Sequence, residues 1–314
     1  MLFLKFADSA QRRLLHDSLR SRRNFHGGGF LRYPTGEGRS NTTLRRALAR
    51  HWHLYVFEAF ELAIFMLSAC AFTVFLFDPT YPALHLLPSA VVRRTLMGIA
   101  MGITAVLIIH SPTGKRSGAH FNPAITLSYF RLGKIAKWDA IFYVVFQFLG
   151  GVLGVAIATL FFGGTLADPA VEYAITVPGP YGTAAAFFAE LFMSALLMGV
   201  VLWLTNLPHL AIYTSYSVGI LIAFYILIFA PVSGFSINPA RTTGSAVFAG
   251  IWTAVWLYFT APLFGMLVIA EIYLQSLGED RILCAKLYID PRYPCPFLCT
   301  FPGHRPAPEP SAEA

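Results

Sequence analysis

Charge is what this sequence has least of. Only 12% of its 314 residues are Asp, Glu, Lys or Arg, where a soluble globular domain carries about 25%. Hydrophobic residues make up 56% and aromatics 15%, and the mean hydropathy is +0.60. So little charge excludes an ordinary water-soluble fold and makes a bilayer the main solvent. Cysteine is scarce as well, with four in all. Cys70 lies in an apolar run, whereas Cys284, Cys295 and Cys299 lie in a polar tail. This placement gives no disulfide framework, and Cys295-x-x-x-Cys299 followed by His304 matches no common metal spacing. A reduced cytoplasmic cysteine set is expected, with no metal and no cofactor. No apolar run follows the start within signal-peptide distance, so no secretory leader is expected. The apolar stretches hold no serine–histidine pair, aspartate pair or metal-ligand spacing, and an enzyme is not expected.

What charge there is sits unevenly. The formal net charge is +7, and residues 1–50 hold roughly half of all Lys and Arg, among them Arg12, Arg13, Arg22, Arg23, Arg45 and Arg46. A basic stretch can serve nucleic acid, but beside a membrane span it marks the cytoplasmic side, and no nucleic-acid partner is expected. The same stretch, rich in Arg and poor in acids, also has the composition of an organelle transit peptide.

Six apolar stretches, approximately 54–77, 91–110, 138–162, 183–205, 210–230 and 251–274, are long enough to cross a hydrocarbon core of about 30 Å as helices. Two more, near 122–131 and 238–248, are too short. Lys115, Arg116, Arg131, Lys134 and Lys137 make the second-to-third connection basic, while the third-to-fourth connection carries Asp168 and Glu172 instead. Both termini are therefore expected in the cytoplasm. Arg93 and Arg94 go against that rule, and snorkelling to the outer interface would accommodate them. The organisation expected is a poorly ordered basic extension (1–50), a membrane domain (51–275, halves about 51–164 and 180–275) and a cytoplasmic tail (276–314).

Internal duplication organises the middle of the chain. Ser117-Gly118-Ala119-His120-Phe121-Asn122-Pro123-Ala124 recurs as Ser233-Gly234-Phe235-Ser236-Ile237-Asn238-Pro239-Ala240, each following the second span of its half. Three spans per half place the second copy upside down relative to the first, an inverted repeat. Asn is a strong helix N-cap, and Pro at the first helical position loses no hydrogen bond. Each motif therefore starts a half-helix, and two of them entering from opposite faces meet near the midplane with their positive ends together. Irregular backbone at that depth requires protein burial or a water-filled cavity. Once its oxygen caps the helix, each Asn amide is free to donate outward.

Paired motifs of this kind, with Arg241 after the second and Gln147, Gly150, Gly151 and Gly154 in the third span, resemble the major intrinsic protein (aquaporin and glycerol facilitator) family over about 52–274. The resemblance implies an all-α membrane protein with six transmembrane helices and two re-entrant half-helices in a right-handed bundle. It also implies a homotetramer with one pore per subunit in a cell membrane, passing water or small uncharged solutes. The pore motifs would be Asn122, Pro123, Ala124, Asn238, Pro239 and Ala240. Arg241, Phe235 and Ile226 would form the filter, together with Met101 or Gly102, since the 112–114 stretch leaves the register open by one residue. A buried glutamate supports each re-entrant loop in the family. Glu190 fits the second half. In the first, alignment with Glu190 prefers Glu58 over Glu61, whose alternative role is a proton-coupling carboxylate. His120 stands beside the first motif and is expected to line its loop.

Substrate signals conflict. Phe235 resembles a facilitator position and Ile226 the usual residue of neither class, whereas Thr242, Ala246 and the Tyr258-Phe259 pair resemble water channels. A glycerol, urea or peroxide facilitator is thus the alternative to a water-selective pore. A coupled transporter or a poorly conducting structural protein stands behind both. His110 and His209 are candidate pH sensors.

Overall fold

A computed structural model describes residues 43–303. They form ten α-helices: α1 Leu44–Phe77, α2 Pro82–Leu86, α3 Ala90–His110, α4 Pro112–Ser117, α5 Pro123–Arg131, α6 Lys137–Phe162, α7 Gly182–Thr205, α8 Thr214–Ser233, α9 Pro239–Ala249 and α10 Val255–Leu277. Six of these, α1, α3, α6, α7, α8 and α10, are long and apolar enough to cross a bilayer. Their outer faces keep Leu107, Leu160, Ile220 and Phe264 exposed. Helices apolar all round are stable when lipid replaces water on the outside, and the protein is an integral, multi-pass membrane protein.

Packing follows the repeat. Helix α1 lies along α6, α7 along α10, and α3 against α8, while the half-helices exchange sides, α5 resting on α10 and α9 on α6. Each half therefore carries the half-helix of the other, and neither half is complete alone. Glycine makes the exchange possible. A Cβ on Gly151 of α6 would stand 2.5 Å from the Ala240 carbonyl oxygen of α9, and one on Gly244 of α9 would stand 2.4 Å from the Gly151 oxygen. Backbones this close are the usual means of helix association where lipid removes the hydrophobic drive.

The structure moves several expected boundaries. Helix α1 starts at Leu44, capped by Thr43, so a boundary at residue 50 falls inside a helix. Its 34 residues, at about 1.5 Å each, reach about 51 Å, more than the apolar core needs. The surplus turns are anchored on α6, where Asp139 accepts from Tyr55 Oη at 2.5 Å and pairs with His51 Nδ1 at 2.9 Å. Helix α8 begins later than residue 210 because 207–213 form turns and a short 3-10 segment. The rest of the N-terminal extension (1–42), and His304 with the Pro-rich end, lie outside the described residues.

The tail, polar in composition from about 276, folds back on the helices in its described part and buries Ile282, Cys284, Ala285, Leu287, Cys295 and Phe297. Local composition concealed this, because the apolar residues are few and their partners lie far away in sequence.

Gly151→Val should destabilise the fold by about 1–3 kcal/mol or more, since the new methyls meet backbone that cannot rotate away. A thermal melt of detergent-solubilised protein checks this, with Gly164→Ala as the control, because nothing lies within 4 Å of that position. Equal melting of the two variants would contradict the close α6–α9 approach.

Candidate functional site

The two re-entrant loops share an unusual backbone. Gly118 ends α4 with φ +101°, and Ala119 and Phe121 follow at +56° and +31°; Gly234 ends α8 at +76°, followed by Phe235 at +55° and Ile237 at +48°. Left-handed conformation costs a non-glycine residue about 1–2 kcal/mol, so such a path persists only where its surroundings enforce it.

Buried carboxyl groups do so. Glu190 of α7 accepts from Ser233 Oγ at 2.7 Å, from Ser236 N at 2.8 Å and from Ile237 N at 2.5 Å. In the first half the same work is divided. Glu58 accepts from His120 N at 3.0 Å, Phe121 N at 2.6 Å and Gln147 Nε2 at 2.7 Å, whereas Glu61, one turn further along α1, accepts from Ser117 Oγ at 2.8 Å. Met193 stands in α7 where Glu61 stands in α1. A third support was not anticipated. Tyr143 Oη donates to the Ser117 carbonyl at 2.7 Å, and Tyr258 Oη donates to that of Ser233 at 2.6 Å. Aligning the halves with a one-residue gap after the motif exposes that pair, because each tyrosine lies early in the third span of its half.

The half-helices meet at their asparagines. Asn122 Oδ1 caps α5 by accepting from Ala124 N at 2.9 Å, and Asn238 Oδ1 caps α9 by accepting from Ala240 N and Arg241 N at 3.0 and 3.2 Å. Their amides cross over. Asn122 Nδ2 donates to the Ile237 carbonyl and Asn238 Nδ2 to that of Phe121, both at 2.8 Å. Each amide thus spends one proton on the opposite loop and retains one. Pro123, Ala124, Pro239 and Ala240 are buried behind these contacts.

Above the second loop lies a cavity of 360 Å³ lined by Met101, Ile226, Phe235 and Arg241, with Arg94 and Glu172 among the other wall residues. Arg241 is buried, and among the described residues its Nη1 meets no acceptor. Gly102 is not part of this wall. A Cβ there would stand 2.4 Å from the Gly219 oxygen, so it serves the α3–α8 contact, and of the two second-span candidates Met101 faces the cavity. Arg93 turns away, donating from Nη1 to the carbonyls of Leu87 and Pro88 at 2.5 and 3.0 Å.

The opposite end is covered by the tail. His120 is fully buried, with Nδ1 3.1 Å from Thr126 Oγ1 and Nε2 2.7 Å from the Ala285 carbonyl, and its ring stacks on Phe297 at 5.4 Å. Leu287 N donates to the Gly118 carbonyl at 3.1 Å. Lys286, also fully buried, donates from Nζ to the carbonyls of Lys115, Tyr293 and Pro294. Burial there pulls its pKa below the ordinary lysine value. His110 contacts Ser215 Oγ at 2.7 Å and the Tyr288 ring of the tail, while His209 is exposed.

Known proteins share this architecture. The family described as Major intrinsic protein matches residues 47–273. Aquaporin Z of Photorhabdus laumondii is 27% identical over 194 residues, which cover 59% of this chain and 84% of that protein. Among solved structures, the aquaglyceroporin from Plasmodium falciparum aligns with a TM-score of 0.59 at 20% identity, over 71% of this chain and 95% of that one.

The division of labour between Glu58 and Glu61 has a measurable consequence. Glu58→Ala orphans two buried N–H groups, each costing about 1–3 kcal/mol, while Glu61→Gln keeps an acceptor for Ser117 and should cost less than about 1 kcal/mol. Melting curves of the purified variants would show a large drop for the first and a small one for the second. Comparable drops would mean that Glu61 carries more of the loop than its single bond indicates.

Proposed function

The chain belongs to the major intrinsic protein family, and from that premise we propose that it is a passive, bidirectional channel for water and small uncharged solutes that excludes ions and protons. The observation that supports this most is the crossed asparagine pair at the meeting point of two helix N-termini, below a cavity walled by a buried arginine. The amide proton that each asparagine retains is a donor aimed at a passing oxygen. A water that accepts from both Asn122 and Asn238 cannot also accept from its neighbours in the file, so the donor–acceptor order needed for proton hopping breaks there. The positive half-helix ends at the asparagines, and the Arg241 guanidinium in the cavity wall above them, both oppose cations. Left-handed residues alternating along both loops supply a run of carbonyl acceptors for the rest of the path.

Selection falls to Arg241, Phe235, Ile226 and Met101. One charged donor facing three apolar side chains suits a solute with a polar edge and a small apolar body as well as it suits water. Two positions that resemble water channels do not bear on this choice. Thr242 is engaged with Ser236 Oγ at 2.6 Å and Thr176 Oγ1 at 2.8 Å, and Tyr258 with the Ser233 carbonyl, so they hold the loop rather than face the solute. The apolar Ile226 therefore favours, as a second reading, a facilitator that also passes glycerol-sized solutes. The native assembly is taken as a homotetramer in a cell membrane, with one pore per subunit and both termini in the cytoplasm; the basic connection from Lys115 to Lys137 supports that orientation.

Stopped-flow light scattering of proteoliposomes tests the reading. Rapid shrinkage in an impermeant osmolyte is expected, and reswelling in a glycerol gradient then decides between the two solute classes. No flux above empty liposomes, with insertion verified, would reject both. Arg241→Ala should raise cation and proton leak several-fold while water still passes. Unchanged leak would remove Arg241 from the charge barrier.

A further inference from the structure

We propose that Cys284, Cys295 and Cys299 form a binding site for a thiophilic d10 cation, zinc foremost, which ties the two segments of the folded-back tail together. The three sulfur atoms lie within 4.8 Å of one another, and those of Cys284 and Cys295 are 3.5 Å apart. Zinc–sulfur bonds of about 2.3 Å at tetrahedral angles set sulfurs about 3.8 Å from each other, so the cluster needs only a small adjustment to receive the ion. A disulfide needs about 2.05 Å, and none of the three is disulfide-bonded.

The chain builds this cluster from separate segments. Thr300 N donates to the Leu283 carbonyl at 2.8 Å, which brings Cys299 alongside Cys284. Leu298 N donates to the Lys134 carbonyl at 3.1 Å, fixing the second segment against the loop after α5. Pro294 and Pro296 flank Cys295 and restrict its backbone. Cys284 and Cys295 are buried and Cys299 is half-buried, and three sulfur ligands leave the fourth tetrahedral position to a water or further donor. Three thiolates around a divalent ion leave one net negative charge. The Lys286 ammonium donates to the carbonyls of Tyr293 and Pro294, the two residues before Cys295, which sets a positive charge beside the cluster. Soft thiolate ligands select zinc or copper(I) over magnesium or calcium. On binding, each thiol gives its proton to solvent.

This site is independent of the transport reading, and its test uses no flux. Full-length protein, purified in detergent under reducing conditions, would be assayed for bound metal by elemental mass spectrometry and then titrated with cobalt(II). About one zinc per chain is expected, together with a thiolate-to-cobalt charge-transfer band. Cys295→Ser should weaken zinc binding more than tenfold, while Cys70→Ser, in the helix bundle, leaves it unchanged. Copper in place of zinc in the elemental analysis would support the same thiolate site with the other d10 ion. The proposal is overturned if metal-depleted wild-type protein of unchanged helicity fails to take up zinc, copper(I) or cobalt with its thiols reduced, leaving them packed as small apolar groups. It is overturned equally if intact-mass analysis shows two hydrogens lost to a Cys284–Cys295 disulfide under those conditions, or if Cys70→Ser weakens binding as much as Cys295→Ser.

Discussion

Two asparagine amides tie the centre of the molecule together. Each caps its own half-helix with oxygen and reaches the opposite loop with nitrogen. The underlying constraint is that backbone polar groups away from water must find partners within the protein. A half-helix ending near the middle of the bilayer leaves several such groups open at its N-terminus. The asparagines close one gap on each side, the glutamates close the next, and the left-handed loop residues persist because these bonds leave them no cheaper path. The glycines of α6 and α9 then bring the helices close enough for the bonds to form.

The two halves meet this constraint in different ways. The second uses one carboxyl, Glu190, and is covered at its own end by the 174–177 segment, where Thr176 reaches Thr242 and Gly234 leaves no room for a side chain. The first uses two carboxyls and borrows its cover from the tail, with Phe297 over Gly118 and Ala285 against His120. Duplication therefore preserved the arrangement of the loops while the material that covers them diverged.

Legibility in the sequence followed the range of the interactions. The spans, the repeat and the half-helices could be read directly, because hydropathy, Asn capping and Pro at the first helical turn act within a few residues. Glu58 and Glu61 were harder, since both lie on the buried face of α1 and only the fold shows that Glu58 meets amides while Glu61 meets the Ser117 hydroxyl. The choice between Met101 and Gly102 turned on a rotation of α3 of about 100° per residue, which no local signal specifies. Tyr143 required aligning the halves beyond their shared octapeptide. The folding back of the tail was invisible because Ala285 and Phe297 meet His120 and Gly118, more than a hundred residues away in sequence, and composition shows only that the segment is polar.

The bond from His120 to Ala285 spans 165 residues, and that distance has a temporal meaning. A ribosome delivers the first re-entrant loop long before it delivers the segment that covers it, and α5 must likewise wait for α10. Until translation has passed Leu287, the imidazole and the Gly118 carbonyl stand without their final partners. The first half is therefore synthesised early and completed last, so a nascent chain interrupted after its fifth span carries an unfinished loop, in a state that quality-control machinery could distinguish from the mature protein.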